Sequence, residues 1–146
     1  MPEVNWLAVI VAGLIPTLLG ALWYGPLFGK QWYSSLGKTE EELVPNNMPV
    51  TYGLALVAAI LLSSSIKMIM ETMHKDVNDA GELIFNSTHT FGHGAFHGFF
   101  LFIFLIFPVI LSLSLFHKMS GKSILINCTF WALAMAIMGG ILDVWI

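Results

Sequence analysis

A chain of 146 residues that is 57% hydrophobic and only 10% charged cannot give itself the charged surface, about a quarter of all residues, that a soluble domain normally carries. Its positive charges are all lysines and its net charge is −3, which leaves no electrostatic footing for nucleic acid. The one cysteine, Cys128, lies in an apolar run, so an intrachain disulfide is excluded.

The start, Met1-Pro2-Glu3-Val4-Asn5, lacks the positive segment of a signal peptide, and no small-residue cleavage site follows the first apolar run. That run is therefore expected to be retained as a helix. A spanning helix needs about 20 mostly apolar residues, and four stretches qualify, at about 6–24, 52–70, 94–116 and 124–145. Gly25-Pro26 ends the first, Pro49 precedes the second, Gly92 and His117-Lys118 bound the third, and Gly121-Lys122 opens the fourth. Phe99 to Leu111 contains no polar side chain, so a water-soluble four-helix bundle with polar outer faces is excluded. The fold class expected is an all-α integral membrane four-helix bundle, one four-span domain over residues 1–146, with the lipid bilayer as its surroundings.

Four spans put both termini on one side. The loops 25–51 and 117–123 share the other side and hold Lys30, Lys38, Lys118 and Lys122, against Lys67 and Lys75 opposite. Positive residues collect on the cytoplasmic side, so both termini are expected outside. In the first loop, Thr39 and Glu42 have capping-box spacing and predict a short helix from Glu40. Before it, Phe28, Trp32, Tyr33 and Leu36 suit either a segment lying in the interface or an ordinary loop with aromatic anchors.

Small residues let membrane helices approach closely. Ala12, Pro16 and Gly20 line the first span, with a kink expected at Pro16. Ala55, Ala59 and Ser63 line the second, and Ala132, Ala136, Gly139 and Gly140 the fourth. The third offers only Gly94 and Gly98 before a run of phenylalanines, so it should pack tightly at its beginning and present large side chains deeper in the bilayer. The same small faces suit contacts in a homo-oligomer or with a membrane-complex partner.

Asn5-Trp6, then Gly20-Ala21-Leu22-Trp23-Tyr24-Gly25-Pro26-Leu27-Phe28-Gly29-Lys30 with Trp32, and in the fourth span Asn127, Trp131, Met138-Gly139-Gly140-Ile141-Leu142 and Trp145, form a recognisable set. In these the sequence resembles the bacterial domain-of-unknown-function family 1761 along essentially its whole length. The resemblance implies a four-span protein of a bacterial inner (cytoplasmic) membrane. It implies no activity and carries over no catalytic residue.

His89, His93 and His97 follow at steps of four, a rotation of about 40° per step, so they share a helix face. An ionisable residue within a membrane is costly and is by default a site. Chain parity places this face level with Glu3, Asn5, Ser63, Ser64, Ser65, Lys67, Glu71, His74 and Asp143. A histidine or Lys67 is then the expected partner of Asp143.

Three readings compete. In one, the polar layer is structural, a set of interhelical hydrogen bonds. In the second it holds a divalent metal. Three histidines spread over about 12 Å cannot all reach one ion, so the ligands would be His93 and His97, or His89 and His93, with Asp143 or Glu71, and His93, His97 and Asp143 are the preferred set. In the third, His89, His93, His97, Asp143, Lys67 and Glu71 form a proton-titrating row. Haem ligation would need His74 to fold over the others. Met68, Met70 and Met73 are soft enough for Cu(I), with core filling the plainer role. The sequons at Asn86-Ser87-Thr88 and Asn127-Cys128-Thr129 are read as chance, and no phosphate loop, nucleophile elbow or paired-cysteine motif is present. The leading expectation is a non-enzymatic subunit or homo-oligomeric unit, with an ion or proton as what it would conduct. The alternative is a membrane metalloprotein, transporter or enzyme, built on the histidine face.

Overall fold

In the computed structural model the described residues are 5–85 and 89–145. Glu3 and the sequon Asn86-Ser87-Thr88 lie outside them. Helix α1 (Trp6–Leu22) runs on through a π turn (Trp23–Leu27). Two short helices follow, α2 (Gly29–Ser35) and α3 (Glu40–Leu43), then the long α4 (Met48–Met73). A hairpin of β1 (Lys75–Val77) and β2 (Leu83–Phe85) leads into α5 (Phe91–Leu101), a second π turn (Phe102–Ile106) and α6 (Phe107–Phe116), and α7 (Gly121–Val144) closes the chain. Among the described residues four helical stretches, Trp6–Leu27, Met48–Met73, Phe91–Phe116 and Gly121–Val144, are long and apolar enough to cross a membrane. The protein is an all-α, membrane-type bundle carrying one small antiparallel hairpin.

Helix ends follow local chemistry. The side chains of Asn5, Asn47, Thr90 and Ser120 accept from the first-turn amides of α1, α4, α5 and α7, satisfying donors that have no partner within the helix. In α3 the Thr39 amide donates to the Glu42 carboxylate at 2.7 Å, as the capping-box spacing predicts. The first span does not stop at Gly25-Pro26. The chain absorbs the missing proline N–H in a π turn where Gly25 leaves helical dihedrals (φ −100°, ψ −109°). The second π turn sits just before Pro108 for the same reason.

Helix α7 is the centre of the bundle. It packs on α1, α4, α5 and α6, while α1 also packs along α4. The shared core is Ala8, Val9 and Ala12 of α1, Ile66 and Met70 of α4, Leu101 and Phe102, and Met135, Met138 and Leu142 of α7. Outward-facing side chains are apolar instead, among them Leu7, Leu14, Leu18, Leu61, Phe96, Phe104, Leu125 and Leu133, as lipid requires. The closest contact joins α5 to α7. A Cβ on Gly94 or Gly98 would strike the carbonyl oxygen of Gly139 or Met135, and one on Gly139 would strike Gly94. Gly140 lies under the Phe91 ring. The small residues at the start of the third span and in the fourth thus meet each other, within one chain, and the phenylalanines beyond, Phe99, Phe100 and Phe104, are exposed.

The end of the bundle away from the two termini is held by the residues that carry the family likeness. The Trp23 indole N–H donates to the Ile126 carbonyl at 3.2 Å and the Tyr24 hydroxyl to Asn127 Oδ1 at 2.9 Å. Tyr24 also packs between Trp32 and Phe130, with ring centroids 4.7 and 5.1 Å away. At the other end Asn5 donates to the Trp145 carbonyl at 3.0 Å, and Ser63 to the Val9 carbonyl at 2.8 Å. These polar contacts tie α1 to α7 and to α4.

Candidate metal centre

Three chain segments converge where α4 ends, α5 begins and α7 ends. His74 caps α4, its amide bonded to the Met70 carbonyl at 3.1 Å. The hairpin then turns the chain back. Asn78 Oδ1 accepts from the amides of Ala80 (3.0 Å) and Glu82 (2.9 Å), and Gly81 takes a positive φ of 79°, a conformation glycine adopts without strain. That return brings His89 and the first turn of α5 beside the end of α4. Thr90 caps α5 and fixes His93 in its first turn and His97 one turn further on.

Asp143 is fully buried and organises the site. Its Oδ2 lies 2.9 Å from His93 Nδ1 and accepts from the Thr90 amide at 3.2 Å; its Oδ1 lies 3.2 Å from His89 Nδ1. The approach of carboxylate to histidine depends on Gly94, because an added Cβ there would collide with Asp143. With Nδ1 committed to the carboxylate, the lone pair of His93 Nε2 points away from Asp143.

That nitrogen meets two others. His97 Nε2 lies 3.2 Å from His93 Nε2 and 3.1 Å from His74 Nε2. The three imidazoles can offer one ligand atom each, all within 4.8 Å of one another. His74 is buried whereas His93 and His97 are half-buried. Burial, then the neighbouring His97 and His93, lower the pKa of His74 below the usual histidine value. Its Nδ1 is buried with no hydrogen-bond partner among the described residues.

The expected site residues fall into two groups. His93, His97, His89 and Asp143 come together, and histidines are the partners of Asp143. Lys67 and Glu71 form their own pair: the Lys67 ammonium is buried, 3.3 Å from Glu71 Oε1 and 3.5 Å from the Leu142 carbonyl. The polar layer at this end thus has two parts, a histidine–aspartate cluster and an ion pair on the α4 side. His74 contributes more than its place in that layer suggested, since it stands over His93 and His97 from the opposing helix. No periodicity links His74 to the other histidines. Only the Asn78-Asp79-Ala80-Gly81 turn between two short β-prone runs signals the reversal that joins them. Of the three methionines only Met70 faces the core, while Met68 and Met73 are exposed on other faces of α4, so they form no common thioether site.

Comparison with curated proteins gives no match, and neither does comparison with solved structures. The model of the family described as "Protein of unknown function (DUF1761)" matches residues 7–143. From the capped first span to the aspartate that anchors the histidine cluster, the chain belongs to the DUF1761 family.

Proposed function

We propose that this membrane protein is a metalloprotein that binds one first-row divalent ion of the zinc type through the Nε2 atoms of His74, His93 and His97. One observation carries this reading: the three nitrogens converge with two separations of 3.1 and 3.2 Å. Ligands at about 2.0–2.1 Å from a tetrahedral ion stand about 3.3–3.4 Å apart, close to these two separations, and all three ligand atoms lie within 4.8 Å of one another. Asp143 is then the carboxylate that fixes the tautomer and direction of His93 and raises its basicity, as carboxylates behind metal-bound histidines do. All-imidazole ligation suits zinc, copper, nickel or iron and disfavours magnesium or calcium, which take oxygen donors. The same separations leave no room for a porphyrin between His74 and either partner.

Without an ion the cluster is poorly satisfied. His97 Nε2 lies in both histidine contacts, and a single N–H can only be shared between them. A second reading, a structural or proton-titrating layer in a non-enzymatic subunit, is favoured by the continuity of the contacts His74–His97–His93–Asp143–His89. Metal content separates the two. Protein purified without chelator and loaded with zinc should retain about one ion per chain. His74→Ala and His97→Ala should each lose it, and His117→Ala, at the far end of α6, should not. Metal-free wild type after loading would leave the proton or structural reading in place.

The lysine distribution and the family resemblance favour a bacterial inner membrane with both termini outside; on that reading the metal site lies at the external surface. The smallest faces of α5 and α7 are used within the chain, so a homo-oligomer or a complex with another membrane protein would form through the apolar outer faces.

A further inference from the structure

We propose that the metal centre is open, with its fourth position taken by an exchangeable oxygen anion, either hydroxide or a carboxylate-type ligand from outside the chain. This rests on the metal reading above and adds to it the class of ligand the centre accepts.

Three observations support it. The first is the donor inventory. Among the described residues the group able to hold an ion consists of His74, His93 and His97 alone. The nearest carboxylates are committed elsewhere, Asp143 to His93, His89 and the Thr90 amide, and Glu71 to Lys67. Three protein ligands with a vacant position are the pattern of reactive zinc sites, whereas structural sites close the shell with a fourth side chain. The second is access. His93 retains 33% of its side-chain exposure and stands in the first turn of α5, about 3 Å along the helix from its start. That places the open side of the cluster at the end of the candidate span Phe91–Phe116, from which an external ligand would approach, while buried His74 closes the other side.

The third is charge. The buried and half-buried charged side chains described at this end are Asp143, Glu71 and Lys67, which with His89 neutral beside Asp143 together leave one negative charge. Three neutral imidazoles add nothing. A divalent ion turns the balance to one positive charge in a region of low dielectric, where uncompensated charge is expensive. A single anion on the ion restores neutrality; a neutral fourth ligand does not. The bound anion is expected to be hydroxide when nothing else is present, since a three-histidine zinc site can lower the pKa of bound water to about 7.

Cobalt(II), a spectroscopic stand-in for zinc, tests this in the detergent-purified full chain. The loaded protein should show the visible bands of a four-coordinate cobalt site. Adding azide should replace them with a new set that saturates, and acetate should compete. Cobalt bands that ignore both anions mean a closed shell and overturn the open position while leaving the metal reading intact. Failure of wild type to bind cobalt overturns both. His97→Ala, which lacks a ligand, should give neither set of bands; an azide-sensitive band in that variant would place the responding ion elsewhere and overturn the proposal.

Discussion

Asp143 and His74 are the two side chains on which the histidine cluster turns, and they act differently. Asp143 is buried against two histidines and a backbone amide, so Asp143→Asn removes a charge and leaves the shape. Loss of a carboxylate behind a metal-bound histidine typically costs about 10–100-fold in metal affinity. That loss is expected here, read by competition with a chromophoric chelator, and an unchanged affinity would detach Asp143 from the site. For His74 the sign follows from its lowered pKa. In the folded protein it stays neutral at pH values where the unfolded chain, near 6.5, takes up a proton. The unfolded state then binds more protons, and apoprotein stability falls as pH drops below about 6.5. Melting of metal-free protein between neutral and mildly acidic pH should show this fall, and His74→Gln should reduce the slope. The sequence shows why His89, His93 and His97 lie on one face, because helix periodicity is local. It could not show that His74, where a carboxylate was expected, meets His97 beside His93, because that depends on the hairpin that returns the chain and on the two histidines that engage Asp143.

At the scale of elements, the contact of α5 with α7 determines whether the site exists. Gly98 and Gly139 face backbone atoms of the opposing helix, whereas nothing stands within 4 Å of a Cβ at Gly53 in α4. Overpacking a tight contact costs typically about 1–3 kcal/mol. Gly98→Ala and Gly139→Ala should therefore lower the melting temperature in detergent and weaken metal binding together. Gly53→Ala should do neither, since alanine is the better helix former by about 1 kcal/mol. Equal melting temperatures for wild type and Gly98→Ala would refute the packing. Small residues at steps of four made this contact legible in the sequence, as the Thr39 and Glu42 spacing did α3. The π turns were less legible. A proline announces a defect in a helix, but whether the chain breaks, kinks or widens by one residue depends on the neighbouring helices. Gly25-Pro26 read as a stop and is a π turn within a longer span.

The whole molecule is a bundle turned outward, with apolar side chains facing lipid and polar ones gathered at its two ends. Hydropathy made that legible, because a chain in lipid must satisfy its backbone within its own helices. Orientation rests only on the lysines. In a Cys128→Ser background, a cysteine at Asp79 in the hairpin turn should be labelled from outside an intact cell and one at Gly121 should not; the reverse pattern would turn the protein over and place the metal site inside. The most direct measurement of the central claim is X-ray absorption at the metal edge of the zinc-loaded protein. The account predicts three imidazole nitrogens at about 2.0–2.1 Å with one further light ligand. A shell with fewer than three imidazoles, or one built mainly on oxygen or sulfur, would contradict it.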